Sequence, residues 1–135
     1  MANENGHSIT VYSAGANGNA SPTATISGLN TGLNGPSGIT LDGSGNLYVA
    51  NSLNSITVYD AAASGNASPT VTISGSNTAL NFPNSVALDG SGNRYVSNQG
   101  VGGVKIYAAA ATGNASPAGT ITSGVSVPQC LAFLP

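Results

Sequence analysis

The sequence predicts an all-β chain made of repeated units, and three observations carry that reading. The phrase Gly-Asn-Ala-Ser-Pro stands at Gly18–Pro22, Gly65–Pro69 and Gly113–Pro117, at intervals of 47 and 48 residues. Between these phrases, short runs rich in Val, Ile, Thr and Tyr alternate with clusters of Gly, Asn, Asp and Pro. That is the pattern of short strands joined by turns. The helix formers Glu, Lys and Arg are almost missing, with two Lys+Arg and four Asp+Glu in 135 residues. Long helices therefore lack their usual material. A repeat period of 40–50 residues points to stacked units rather than to one irregular domain.

Each unit holds four strand-like runs, here called a to d. Run a is Gly-Ile-Thr-Leu at Gly38–Leu41, matched by Ser85–Leu88. Run b is Asn-Leu-Tyr-Val-Ala at Asn46–Ala50, matched by Asn93–Ser97. The Asp-Gly-Ser-Gly-Asn between them (Asp42–Asn46 and Asp89–Asn93) reads as a tight hairpin turn, because Asp and Asn tolerate turn geometry and Gly supplies positive φ. Run c is Ile-Thr-Val-Tyr at Ile9–Tyr12 and Ile56–Tyr59, with Val-Lys-Ile-Tyr at Val104–Tyr107. Run d is Thr-Ala-Thr-Ile-Ser-Gly at Thr23–Gly28 and Thr-Val-Thr-Ile-Ser-Gly at Thr70–Gly75. Its third copy aligns as Gly-Thr-Ile-Thr-Ser-Gly at Gly119–Gly124. A longer loop joins c to d and ends in Pro22, Pro69 or Pro117, at a strand entrance where a missing donor does no harm. The chain divides into units of approximately 1–37, 38–84 and 85–135 within a single domain of 1–135.

Four antiparallel strands in about 45 residues predict a β-propeller blade, three to the chain. The stretch Pro36–Asn51, followed by Ile56–Tyr59, resembles the NHL repeat of bacterial propellers: a Pro-x-Gly-Ile strand, an Asp-x-x-Gly-Asn turn, Tyr-Val-Ala-Asn, then a strand ending in an aromatic. Asn51 and Asn98 stand where that family commonly has Asp. The resemblance implies a six-bladed ring.

Met1-Ala2-Asn3 aligns with Val49–Asn51 and Val96–Asn98, so the chain is expected to open at the end of a b-strand. It is expected to close on an a-strand, Cys130-Leu131-Ala132-Phe133. Three blades do not close a ring of the usual size. The expected partner is therefore a second copy of the chain, a homodimer of six blades whose C-terminal a-strand completes the neighbour's first blade. A trimer of nine blades or a head-to-tail filament are the other assemblies. The expected seam comprises Met1, Ala2, Asn3, Ile9, Val11, Cys130, Leu131, Ala132 and Phe133.

A net charge of −2 with two cations leaves no basic patch for nucleic acid or for an anionic membrane surface. Cys130 is the only cysteine and is expected to pack as a small apolar residue; His7 is the only histidine and has no evident partner. The Asp-Gly-Ser-Gly-Asn turns carry one carboxylate each, too few for a calcium loop, so neither metal nor cofactor is expected. Some propellers are lactonases or lyases, whose sites use metal-binding carboxylates or a His base. With one His and four carboxylates, this chain is read as non-enzymatic, a scaffold or binding module. A subunit of an extracellular fibre and a lactonase- or lyase-like enzyme are the alternatives. The face carrying Asn51, Asn54, Asn98 and Gln99 is the expected binding surface, since neutral amides match sugar hydroxyls. The composition favours the outside of the cell, and Met1–Ser8 has no signal-peptide layout.

Overall fold

The alternation of β-branched and polar residues between glycine-rich turns builds three antiparallel sheets in chain order. The computed structural model describes residues 1–100 and 102–133. The first sheet has three strands, β1 (Ala2–Asn3), β2 (Ser8–Val11) and β3 (Ala24–Ile26). The second has four, β4 (Pro36–Leu41), β5 (Leu47–Asn51), β6 (Ser55–Tyr59) and β7 (Val71–Ser74). The third repeats it with β8 (Pro83–Leu88), β9 (Arg94–Asn98), β10 (Val104–Tyr107) and β11 (Gly119–Ile121). One 3₁₀ turn, Ser76–Thr78, precedes β8.

The predicted hairpin turns form as expected. Asp42 N–H donates to Asn46 O at 3.1 Å, and Gly45 adopts φ 84°. Asp89, Asn93 and Gly92 repeat the arrangement, with Gly92 at φ 80°.

Strand alternation splits β5 between two apolar layers. Leu47 and Val49 of β5 pack with Tyr59 against Ile9 and Ile26 of the first sheet. Ala50, with Ile56 and Ile73, faces the other way, onto Val86, Val96 and Tyr107 of the third sheet. The central strands of the second sheet, β5 and β6, are thus buried on both faces, and β5 accordingly carries the unbroken apolar run Leu47-Tyr48-Val49-Ala50.

Two expectations change. The ladder pairs Val104 with Ile121, as Ile9 pairs with Ile26 and Ile56 with Ile73. Ile121 is therefore the counterpart of Ile26 and Ile73, and an alignment on Gly124 is displaced by one residue. The distance from Gly113 to Ile121 agrees, since Gly65 and Gly18 stand equally far from Ile73 and Ile26. The second change concerns Cys130–Phe133, which forms no strand among the described residues. A strand needs a ladder partner, and none lies beside it. The segment nonetheless follows β8 as β8 follows β4: Ser37 Oγ donates to Pro83 O, Asn84 Nδ2 to Gln129 Oε1, and Leu131 N–H to Ser85 Oγ.

The glycines that end β3 and β7 are required by their neighbours. Gly28 and Gly75 have φ near 125°, and a Cβ on either would collide with the amide of Asn66 or Asn114. Gly28→Ala and Gly75→Ala are each expected to cost about 2 kcal/mol or more. Urea unfolding monitored by far-ultraviolet circular dichroism measures this.

Candidate functional site

Sequence reasoning placed a polar surface on the loops that join b to c and d to a. These loops do come together, zipped by backbone bonds. Ser52 N–H donates to Gly35 O at 2.8 Å, and Gln99 N–H to Phe82 O at 3.0 Å. The four predicted residues separate into two kinds. Asn51 and Asn98 are completely buried. Asn51 Oδ1 accepts from Asn34 N–H at 3.1 Å, and its Nδ2 donates to Thr57 Oγ1 at 3.0 Å. Asn98 Oδ1 accepts from Asn81 N–H at 3.3 Å, and its Nδ2 donates to Ala79 O at 2.7 Å. Both amides are spent at both ends on the chain's own groups, so neither forms a ligand surface. That corrects the expectation: the amides hold the d-to-a loop against the sheet. Asn54 and Gln99 remain outside. Asn54, at φ 67°, uses Oδ1 to accept from Phe82 N–H at 2.8 Å; Gln99 is exposed.

His7 does the same work as Asn54 and was missed. Its φ is 44°, and its Nδ1 accepts from Gly35 N–H at 2.9 Å. Gly35 and Phe82 are each the residue before the proline that starts an a-strand. The signal was available: His7 stands two residues before Ile9, as Asn54 stands two before Ile56. The different residue types concealed it. In the third unit Gly102, two residues before Val104, has no side chain to offer.

The junction between successive sheets has its own repeated contacts. Tyr59 Oη donates to Thr31 O at 2.5 Å, and Tyr107 Oη to Thr78 O at 2.6 Å. Burial raises the pKa of both phenols above the ordinary tyrosine value. Gly65 bridges the edge of β3, donating to Thr25 O and accepting from Ser27 N–H; Gly113 does so on β7 with Thr72 and Ser74. Asn66 and Asn114 then accept from Asn30 and Asn77 N–H, each at 2.8 Å. The recurring Gly-Asn-Ala-Ser-Pro phrase is thus the element that docks one unit onto the one before it.

Among the predicted seam residues, Ile9 is buried under the second sheet at 1% exposure, so it does not lie at an open surface. Val11 is 43% exposed, and with Met1, Ile39 and Leu41 it lines an apolar groove between the first and second sheets. Ala2 and Asn3 are half-buried. Their strand, β1, pairs with β2 on one side only. Cys130 is exposed rather than packed as expected. Leu131 is half-buried and Ala132 exposed. Phe133 meets the ring of Tyr95 edge-on at 4.8 Å.

The carboxylates of the hairpin turns are internally committed. Asp42 Oδ1 accepts from Ser44 and Asn46 N–H and Oδ2 from Asn46 Nδ2, each at 2.9 Å. Asp89 repeats these bonds with Ser91 and Asn93. The Asn46 and Asn93 side-chain amides, ahead of the backbone donors, hold both carboxyls below the usual aspartate range. Among the described residues, no three His, Cys, Asp or Glu side chains come together as a metal site would require. No described helix is long and apolar enough to cross a membrane. No protein-family model matches the chain, and comparison with curated proteins finds no similar sequence.

Two measurements follow from these assignments. Asn51→Ala and Asn98→Ala should each lower unfolding stability by about 2 kcal/mol without any ligand present, because each strands buried loop donors or acceptors; urea titration checks it. The depressed aspartate pKa values mean that folding gains from ionised Asp42 and Asp89 above the unfolded value near 3.8, and loses that gain as pH falls through the folded values. The double variant Asp42→Asn/Asp89→Asn should therefore show a flatter loss of melting temperature in acid than the parent chain.

Proposed function

We propose that the chain is a non-enzymatic, self-assembling β-propeller module of the NHL-repeat kind, with three blades per chain. Two copies make a six-bladed ring that serves as a scaffold or presents a neutral polar binding face. The observation that carries this reading is the place of a missing strand. The second and third sheets have four strands, and the first has three. The free edge of β1 begins beside Met1, which is 67% exposed. At the other end of the chain, Gln129–Phe133 occupies the position that follows β4 and β8 without a ladder partner. A segment in need of a partner strand and an edge in need of a fourth strand are complementary. Pairing them between copies would set Cys130 and Leu131 opposite Ala2 and Met1 in the register that β4 uses on β5, removing apolar surface from water. It also closes an open sheet edge.

Weak electrostatic repulsion between copies supports association, since the net charge is only −2. Of the Asn-rich face, Asn54 and Gln99 remain accessible to a polar ligand. Any contact they make would add about 1 kcal/mol, so useful affinity would come from copies arrayed around the ring.

Native mass spectrometry and sedimentation velocity of the whole chain test the assembly. A closed species of two chains is expected, and it should disappear when residues 128–135 are deleted. A chain that remains monomeric at millimolar concentration, or a deletion that associates unchanged, would sink the reading. A three-chain ring or an open filament would replace the dimer with the corresponding alternative.

A further inference from the structure

The first unit carries the docking half of a junction that the second and third units use and that it does not. Tyr12 is the counterpart of Tyr59 and Tyr107, yet it is 38% exposed where they are fully buried. Gly18 has φ 58°, matching 62° at Gly65 and 63° at Gly113. Gly18 and the turn bond from Ala16 N–H to Ser13 O, repeated at Ala63 and Ala111, thus match the docked loops. Asn19, counterpart of Asn66 and Asn114, is exposed and follows Gly18 directly.

What these residues would grip is the loop leading into an a-strand. In the first unit that loop is Ser27–Gly35, and in the second Ser74–Phe82, nine residues each between Ile and Pro. Both contain Ser-Gly-x-Asn-Thr: the Gly makes room for the docking asparagine, Asn30 or Asn77 donates to it, and Thr31 or Thr78 offers its carbonyl to the tyrosine. The third loop runs from Thr122 to Val127, only six residues between Ile121 and Pro128. By strand register Ser123, with a Cβ, replaces Gly28 and Gly75. The loop instead tucks toward Gly102, the position that lacks the side-chain acceptor supplied by His7 and Asn54.

We infer that the face formed by Tyr12, Gly18 and Asn19 is a socket for the third-unit loop of a second copy, and that this loop is too short to engage Tyr12 and Asn19. The junction between copies then rests on the Gly18 backbone bridge, the exchanged strand and apolar contact. It is looser than the two junctions within a chain, so the assembly opens at the seam while each chain stays folded. This inference rests on the self-assembly reading above.

The test compares the parent chain with a variant in which residues 122–127 are replaced by a copy of residues 74–82. Dissociation constants come from sedimentation velocity. The restored loop should tighten association about tenfold, as one regained hydrogen bond from a buried tyrosine and one exposed amide bond together imply. Tyr12→Phe, which keeps the ring and removes only the hydroxyl, should weaken the grafted chain about fivefold. In the parent chain, Tyr12→Phe and Asn19→Ala should each change association less than about twofold. A parent chain weakened several-fold by either substitution overturns the inference, as does a folded graft that associates no more tightly than the parent. If the graft does not fold, the two parent-chain substitutions decide. Assembly in both forms with equal affinity removes the socket and leaves self-assembly standing. A chain that is monomeric with either loop removes both, and a monomeric parent with an associating graft supports the socket.

Discussion

The hydrogen bond from Tyr59 to the Thr31 carbonyl, repeated from Tyr107 to Thr78, fixes how one sheet sits on the next. A phenol carried into an apolar layer is held to an acceptor, because leaving its buried hydroxyl unpaired costs about 1–3 kcal/mol. The acceptor comes from the loop that enters the same sheet's first strand, so loop and sheet are set by one contact. Charge gives little help in a chain with six charged side chains. The junctions are instead specified by neutral donors and acceptors: tyrosine hydroxyls, asparagine amides and backbone bridges at Gly65 and Gly113.

Arg94 illustrates what charge costs in such a frame. It occupies the position of Leu47 and is almost fully buried. Its guanidinium donates to Ala109 O and Ala111 O at 2.9 and 2.8 Å and lies 5.4 Å from the Tyr48 ring centre. Even so, Arg94 Nε has no partner among the described residues. A leucine makes no such demand, and the corresponding layer around Leu47 consists of Ile9, Ile26, Leu33, Val49 and Tyr59.

The strands were legible because their signals are local. Alternation, turn residues and the repeated Asp-Gly-Ser-Gly-Asn placed the runs a to d, and the sheets carry them in that order. What sequence alone misplaced depended on non-local partners. The strand expected at Cys130–Phe133 has no neighbour to complete a ladder, and local propensity cannot provide one. The third d-run was aligned on Gly124 because a terminal glycine looked equivalent to Gly28 and Gly75; cross-strand register, not spelling, makes Ile121 the equivalent residue. The amides of Asn51 and Asn98 looked like a polar surface because asparagine is usually exposed. Their position at the end of β5 and β9 instead turns them inward, where the incoming loop leaves N–H groups that need acceptors. His7 was invisible for the opposite reason: it shares a role with Asn54 but not a residue type.

A repeat that docks through its own Tyr and Asn onto the preceding loop is polar in direction, with a gripping face on one side and a gripped loop on the other. Units joined in one chain satisfy both halves at every internal junction, while Tyr12 of the first unit is exposed and the third loop is shorter than the other two. If all three loops were alike, the contact between chains would match the contact between units, and nothing would favour a closed ring over continued growth except the angle per unit. A shortened third loop breaks that equivalence. In the proposed assembly it would separate the energy that holds a chain together from the energy that joins chains, so the two could differ in strength even though both descend from the same repeated phrase.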